Sequence, residues 1–173
     1  MLWMLNRAGD HMNFSPLTAL FVFGTLLDED VLRIVLGREL PSSGRRCASL
    51  ADHCRLKLHD DTYPIVARLA GGSVSGQLLM LNKQDLARVS FFEGEEYELE
   101  LTQVIDATGE FVDAMFCAER ATRPGPRYPW SLRQWQHEHK GAFVEHASAY
   151  MVLYGTMTAA RAHAMWKRLV GRE

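Results

Sequence analysis

The sequence predicts an α+β fold, in which a largely antiparallel, curled sheet carries two early helices and a helical tail. Three observations predict it. The apolar run 19–23 stops at Gly24 and gives way to helical spacing, which indicates a strand, a turn and a helix in that order. From Tyr97 the apolar period becomes two, which is typical of a strand with one buried face. Beyond Pro129 helical spacing returns.

Two helices are predicted from their capping residues. Asp28 is placed to cap a helix over residues 30–37, which Gly37 ends. Asn82 is placed to cap a second helix that continues through Phe92.

The remaining segments of the first two thirds are predicted to be strands and turns. Residues 47–58 are strand-like, and Gly71-Gly72 predicts a turn. Residues 73–81 then predict a strand, in which Gly76 marks a bulge or a close backbone approach. A hairpin over residues 97–116 completes the sheet.

The chain is expected to divide at a proline-rich segment. Residues 122–129 hold three prolines and a glycine, which is a boundary signal. We therefore expect a lead-in over residues 1–18, the sheet domain over 19–121, and a linker with a helical extension over 122–173 that packs on the same domain.

The composition excludes several classes of protein. With 19 basic and 21 acidic residues among 173, the chain has no basic footprint for nucleic acid or for an acidic membrane. No run approaches the ~20 apolar residues that a membrane span requires. The three cysteines, Cys47, Cys54 and Cys117, form neither a CxxC motif nor an even set, which favours a reducing compartment. A cytoplasmic location is expected.

The turn at Phe23-Gly24-Thr25-Leu26 is the first candidate site. A strand that ends at glycine just before a helix leaves main-chain N–H groups pointing outward, and such groups bind anions. Glycine also lets a ligand approach the bare backbone. No phosphate-loop pattern is present. A plain structural turn is the alternative.

Glu93 is the second candidate. It follows Phe91-Phe92 at the carboxyl end of the second predicted helix, where the helix dipole, apolar neighbours and nearby carboxylates all disfavour the ionised form. A carboxyl group with a raised pKa can accept a proton near neutral pH, as a general base must. The neighbouring Glu98 and Glu100 are interpreted as a solvated edge.

Other chemistry is weaker in this sequence. His137 and His139 are two residues apart, so on a helix they cannot share a face, and no metal-binding motif accompanies them. No nucleophile motif such as GxSxG surrounds a serine or cysteine. No metal site is predicted.

Taken together, these segments resemble the gamma-glutamylcyclotransferase-like superfamily. The aromatic-Gly-Thr-Leu turn is followed, about 65 residues further on, by Phe92-Glu93-Gly94-x-x-Tyr97. The resemblance covers roughly residues 19–118. The tail is similar to a bacterial branch of the plant avirulence-induced-gene-like group, through a set of aromatic, small and Met residues: Trp130, Trp135, Ala147, Tyr150, Met151 and Gly155.

The resemblance implies a small, mostly antiparallel β-barrel with flanking helices and a cavity between the turn and the glutamate. Members convert a gamma-glutamyl compound to 5-oxoproline and release an amine, with no metal or organic cofactor. By position, Glu93 would be the catalytic acid/base, and the substrate would be held by Phe23, Gly24, Thr25 and Leu26, with Tyr97 lining the pocket. Where the family turn usually begins with Tyr, this chain has Phe23.

Two functions remain open at this stage. One is an enzyme that cyclises a gamma-glutamyl amine. The other is a small-ligand-binding or regulatory module of the same fold without turnover. The helical tail offers Trp and Met side chains to a second copy or to a partner protein in either case.

Overall fold

The computed structural model describes residues 16–119 and 125–169. Six strands and five α-helices lie in these ranges. In chain order they are β1 Thr18–Val22, α1 Glu29–Leu36, β2 Arg45–Leu58, β3 Ile65–Leu81, α2 Lys83–Glu93, β4 Tyr97–Asp106, β5 Phe111–Glu119, β6 Arg127–Pro129, α3 Leu132–Glu138, α4 Lys140–Met151 and α5 Ala159–Leu169.

Five strands close into a barrel. They follow the order β3, β1, β5, β4 and β2, and β2 pairs back with β3. Only the contact of β1 with β5 is parallel, so the barrel is mixed but mostly antiparallel. The short strand β6 adds to the free side of β2. The predicted α+β fold with a small barrel and flanking helices is confirmed.

The apolar core has two parts because successive strand residues point to opposite faces. Phe21, Val74 and Phe116 belong to a cluster that consists of strand residues and of Phe23, directly after β1, and this cluster fills the barrel. Leu20 and Leu79 face the other way and pack against helices α1 to α4. Tyr97 and Leu99 start the helix-facing side of β4, but Leu101, on the same side, is 79% exposed.

The turn predicted at Gly71-Gly72 is wrong, because both glycines lie inside the 17-residue strand β3. The opposite strand contains a bulge at Asp52, whose φ is 55° and where the ladder register shifts. The Asp52 carboxylate accepts a hydrogen bond from the Gly71 N–H at 2.8 Å. The glycine pair therefore accommodates a bulge in one long hairpin. Gly76 is a close approach, since a Cβ there would lie 2.3 Å from the Val22 carbonyl oxygen.

The predicted helix caps are confirmed and position the two early helices. The Asp28 carboxylate accepts hydrogen bonds from the N–H groups of Asp30 and Val31. Asn82 and Asp85 form a reciprocal capping box at the start of α2.

Ionic contacts tie the tail to the first helix. Lys140 of α4 lies 2.8 Å from Asp28 and 2.9 Å from Asp30, and Gln136 of α3 donates to Asp28 at 2.8 Å. Trp135 of α3 is buried in the core between sheet and helices. The tail thus packs directly behind the loop that follows β1. Within the described residues, no helix has both the length and the apolar character to cross a membrane.

Candidate active site

One cavity of about 500 Å³ collects the residues that the sequence singled out. Its lining contains all six predicted site residues: Phe23, Gly24, Thr25, Leu26, Glu93 and Tyr97. The turn after β1, the end of α2 and the start of β4 therefore meet at one hollow. The two segments are far apart in sequence, and the barrel topology brings them together.

The turn keeps its main-chain N–H groups available. Residues Thr25–Leu27 form a single 3-10 turn, closed by the Leu27 N–H on the Gly24 carbonyl at 3.0 Å. The Asp28 N–H likewise donates to the Thr25 carbonyl at 3.0 Å. In the described part of the chain, the N–H groups of Gly24, Thr25 and Leu26 donate no hydrogen bond to another residue. The loop thus uses its carbonyls to hold its shape and leaves its amides for a ligand.

A neighbouring loop explains why position 24 is a glycine, and the sequence alone did not indicate this. The φ of −121° at Gly24 is open to any residue, but a Cβ there would lie 2.9 Å from Cγ of Pro64. The proline ring packs against the glycine and itself lines the cavity, together with Thr62 and Tyr63. The Trp130 indole donates to the Thr62 carbonyl at 2.8 Å, which fixes this second loop.

Phe23 contributes an apolar surface. Its side chain is 8% exposed and its ring lies 6.3 Å from that of Phe21 inside the barrel. The position carries no hydroxyl to donate to a ligand or to Glu93. The part of the cavity wall that Phe23 forms is consequently less polar than it would be with a tyrosine at this position.

Glu93 is the last residue of α2 and lies half-buried at the cavity wall. Burial raises the pKa of its carboxyl group from 4.5 to about 7. Glu95, Glu98 and Glu100 are exposed, and the last two match the predicted solvated edge. Glu93 is set apart from these neighbours by its dry surroundings.

Cys117 of β5 is a cavity residue that the sequence did not single out. Burial, and secondly the charge of Glu93, raise the pKa of its thiol well above the ordinary value. The thiol is therefore protonated near neutral pH, and it adds no anion beside Glu93.

The helical tail supplies the rest of the wall. Five tail side chains with rings line the cavity: Phe143, His146, Tyr150, His163 and Trp166. The Tyr150 hydroxyl donates to the Phe91 carbonyl at 3.2 Å, and the two rings lie 5.2 Å apart. Because Phe91 belongs to the last turn of α2, this contact fixes the helix end that carries Glu93. In the sequence, Phe143 and Tyr150 are apolar residues at helical spacing, and such spacing does not distinguish a core from a cavity wall.

Two histidines of the tail, His137 and His139, lie around the end of α3. His137 is exposed at the end of α3, and His139 follows that helix. Across residues 16–119 and 125–169 there is no group of three or more His, Cys, Asp or Glu side chains that could hold a metal ion.

The closed mixed barrel with flanking helices, which places a glycine turn and a half-buried glutamate on one hollow, has the gamma-glutamylcyclotransferase-like fold. A family model described as gamma-glutamyl cyclotransferase, AIG2-like, matches residues 20–137. Since this is more than half of the chain, the protein belongs to that family, and the predicted superfamily is confirmed.

Known relatives agree with this assignment. The protein is 28% identical to AIG2-like protein D of Arabidopsis thaliana over 131 residues, which cover 73% of this chain and 84% of the relative. A solution structure of an Arabidopsis thaliana protein matches with a TM-score of 0.58 at 24% identity, over 83% of this chain and 95% of that one. A structure titled gamma-glutamyl cyclotransferase matches with a TM-score of 0.52 at 14% identity, over 77% and 87%. These two likenesses show the fold.

Proposed function

We propose that the protein is an enzyme of the gamma-glutamylcyclotransferase type, which converts a gamma-glutamyl amine to 5-oxoproline and releases the amine. The family and the fold support a cyclotransferase-like function. The observation that carries the proposal is the pKa of about 7 at Glu93, in the same cavity as the free amides of the turn. A carboxyl group with this pKa is about half ionised at neutral pH, so it can both accept and return a proton.

The reaction takes two protons from the attacking nitrogen and returns one to the leaving nitrogen. The substrate's α-ammonium group must lose its first proton before its nitrogen can attack the γ-carbonyl carbon, and Glu93 accepts that proton. The new carbon–nitrogen bond then closes the five-membered ring, the second proton passes from the ring nitrogen to water, and the bond to the leaving nitrogen breaks. Glu93 then protonates the leaving amine, which restores its starting state. No net oxidation or external reactant is involved.

The turn residues hold the substrate in this scheme. The N–H groups of Gly24, Thr25 and Leu26 bind the α-carboxylate of the glutamyl group, or stabilise the oxyanion as the ring closes. Phe23 and Tyr97 line the surrounding wall. The reaction is intramolecular, and holding the glutamyl chain folded positions the amine at the γ-carbonyl carbon, which contributes up to ~7–11 kcal/mol to lowering the barrier.

Substitution of the glutamate tests the proposal. Glu93→Gln is expected to lower 5-oxoproline formation by about 10²–10⁴-fold, because the amide cannot accept the proton. Glu95→Gln is the matched control, since Glu95 is two positions away and exposed. In the wild type, kcat/KM is expected to rise with pH through about 7 as Glu93 ionises. Full activity of Glu93→Gln would remove Glu93 from the mechanism.

A binding module without turnover is the second candidate, and Phe23 favours it. The missing hydroxyl removes one hydrogen bond that a tyrosine could make to a ligand or to Glu93. A panel of gamma-glutamyl compounds that raise the melting temperature without forming product would support this function over catalysis.

Several expectations from the sequence stay predictions alongside this proposal. They are the cytoplasmic location, the bacterial branch, the division of the chain at residues 121 and 122, and contact with a second copy or partner protein through the tail.

A further inference from the structure

The cavity is larger than a glutamyl group requires. Its volume of about 500 Å³ falls within the range of about 300–1,000 Å³ that holds drug-sized ligands. The turn and Glu93 occupy the part formed by the barrel and α2. The remaining part is available to the group that leaves the γ-carbonyl.

Rings of the last two helices line that remaining part. We call Phe143, His146, Tyr150, His163 and Trp166 the tail wall. The Trp166 ring packs edge-on against Tyr150 at 5.9 Å and against His146 at 5.5 Å. Such edge-to-face packing holds the rings in place before a ligand arrives. The tail wall is therefore a preformed apolar surface with two histidines.

The charges of the lining residues disfavour a leaving group that carries a carboxylate of its own, in addition to the α-carboxylate of the glutamyl group. Among the described lining residues there is no Lys or Arg. An anionic leaving group, such as an amino acid, would lose its water without gaining a cation, and that costs several kcal/mol in principle. The same dry surroundings disfavour the ionised form of Glu93. A cationic leaving group would form an ion pair with Glu93 and occupy the group that must transfer the proton.

We propose that the leaving nitrogen of the substrate carries a substituent that is uncharged, apolar and about the size of one aromatic ring. Trp166 and the rest of the tail wall select this substituent. This inference rests on the proposed function and adds the substrate class. All five residues of the tail wall lie beyond residue 137, where the family match ends. The leaving group is thus determined by a part of the chain outside the family-defining segment.

Four substrates with a common glutamyl end test the inference. The gamma-glutamyl amides of phenethylamine, ethylamine, alanine and putrescine offer aromatic, small, anionic and cationic leaving groups, and 5-oxoproline is measured for each. The phenethylamide is expected to exceed the ethylamide in kcat/KM by at least about 10-fold, since even a single methylene in an apolar pocket is worth about 10–200-fold. The alanine and putrescine compounds are expected to be no better than the ethylamide.

Variants of the tail wall locate the selectivity. Trp166→Ala is expected to lower the ratio of phenethylamide to ethylamide turnover by about 10-fold. His146→Ala, at an exposed position that tolerates truncation, is expected to lower the ratio in the same direction. Met165→Ala is the matched control, because Met165 precedes Trp166, is 36% exposed and is not part of the described lining. Its ratio is expected to equal that of the wild type.

The outcomes separate this inference from the proposed function. Absence of 5-oxoproline with all four substrates refutes the proposed activity and the inference together. Product from the panel without a preference for the aromatic amine, or with a preference for a charged one, refutes the inference and leaves the activity in place. An unchanged ratio in both Trp166→Ala and His146→Ala assigns the selectivity elsewhere and also refutes it.

Discussion

Replacing Glu93 with glutamine is expected to change how the stability of the protein depends on pH. The folded carboxyl has a pKa of about 7 against an ordinary value of 4.5. The folded state therefore binds the proton more tightly than the unfolded state, and stability falls as pH rises from about 4.5 to 7 before levelling off. Linkage gives a loss of about 2.5 kcal/mol between pH 5 and pH 8 from this one group. Glu93→Gln carries no such charge and escapes the loss.

Urea unfolding at several pH values between 5 and 8 measures this effect. The free energy of unfolding of the wild type is compared with that of Glu93→Gln, so that every other titrating group cancels in the difference. Glu95→Gln is the control, and its difference from the wild type is expected to stay flat because Glu95 is exposed. If the curves of the wild type and of Glu93→Gln run parallel over this range, Glu93 is not desolvated in the folded protein. The proposed role as general base would then lose its physical basis.

Two further predictions concern residues that hold the site in place. Tyr150→Phe removes the hydrogen bond to the Phe91 carbonyl and is expected to lower the free energy of unfolding by about 1 kcal/mol in urea titrations; no change would mean that the contact is not maintained in solution. Gly76→Ala is expected to destabilise by about 1–3 kcal/mol, because the new methyl would lie 2.3 Å from the Val22 carbonyl oxygen. Gly141→Ala, in open space on α4, is the contrasting case and is expected to stabilise by about 0.5–1 kcal/mol. A loss of stability in the Gly141 variant similar to that of Gly76→Ala would contradict the packing argument.

Local signals in the sequence predicted most of the fold. The caps at Asp28 and Asn82 are short-range interactions, so the residues themselves determine where α1 and α2 begin. The Gly71-Gly72 pair was wrongly predicted as a turn, because the feature that explains these glycines is the bulge at Asp52 in another strand. A glycine pair is compatible with a turn and with a bulge, and only the pairing partner distinguishes the two.

The candidate site was predictable only as two separate segments. The turn and Glu93 were identified from their neighbours in sequence, and closure of the barrel brings them to one cavity. Residues that come from distant elements, such as Pro64, Cys117 and Trp166, carried no signal that would separate a cavity wall from ordinary packing. Their roles depend on which loops and helices the barrel places around its opening.

The helical tail is part of the candidate site, because its residues line the cavity that contains Glu93. Of the three causes expected from the sequence (the helix dipole, apolar neighbours and nearby carboxylates), only the apolar neighbours correspond to the structure, where burial raises the pKa. Part of the surface around Glu93 is supplied by Tyr150 and Trp166 of α4 and α5, which lie beyond the residues 20–137 that define the family. The family segment therefore provides the turn and the carboxyl group, and the tail completes the wall of the cavity that both face. Because the same helices also line the space for the leaving group, a change in the tail is expected to alter the strength of the base and the choice of substrate together.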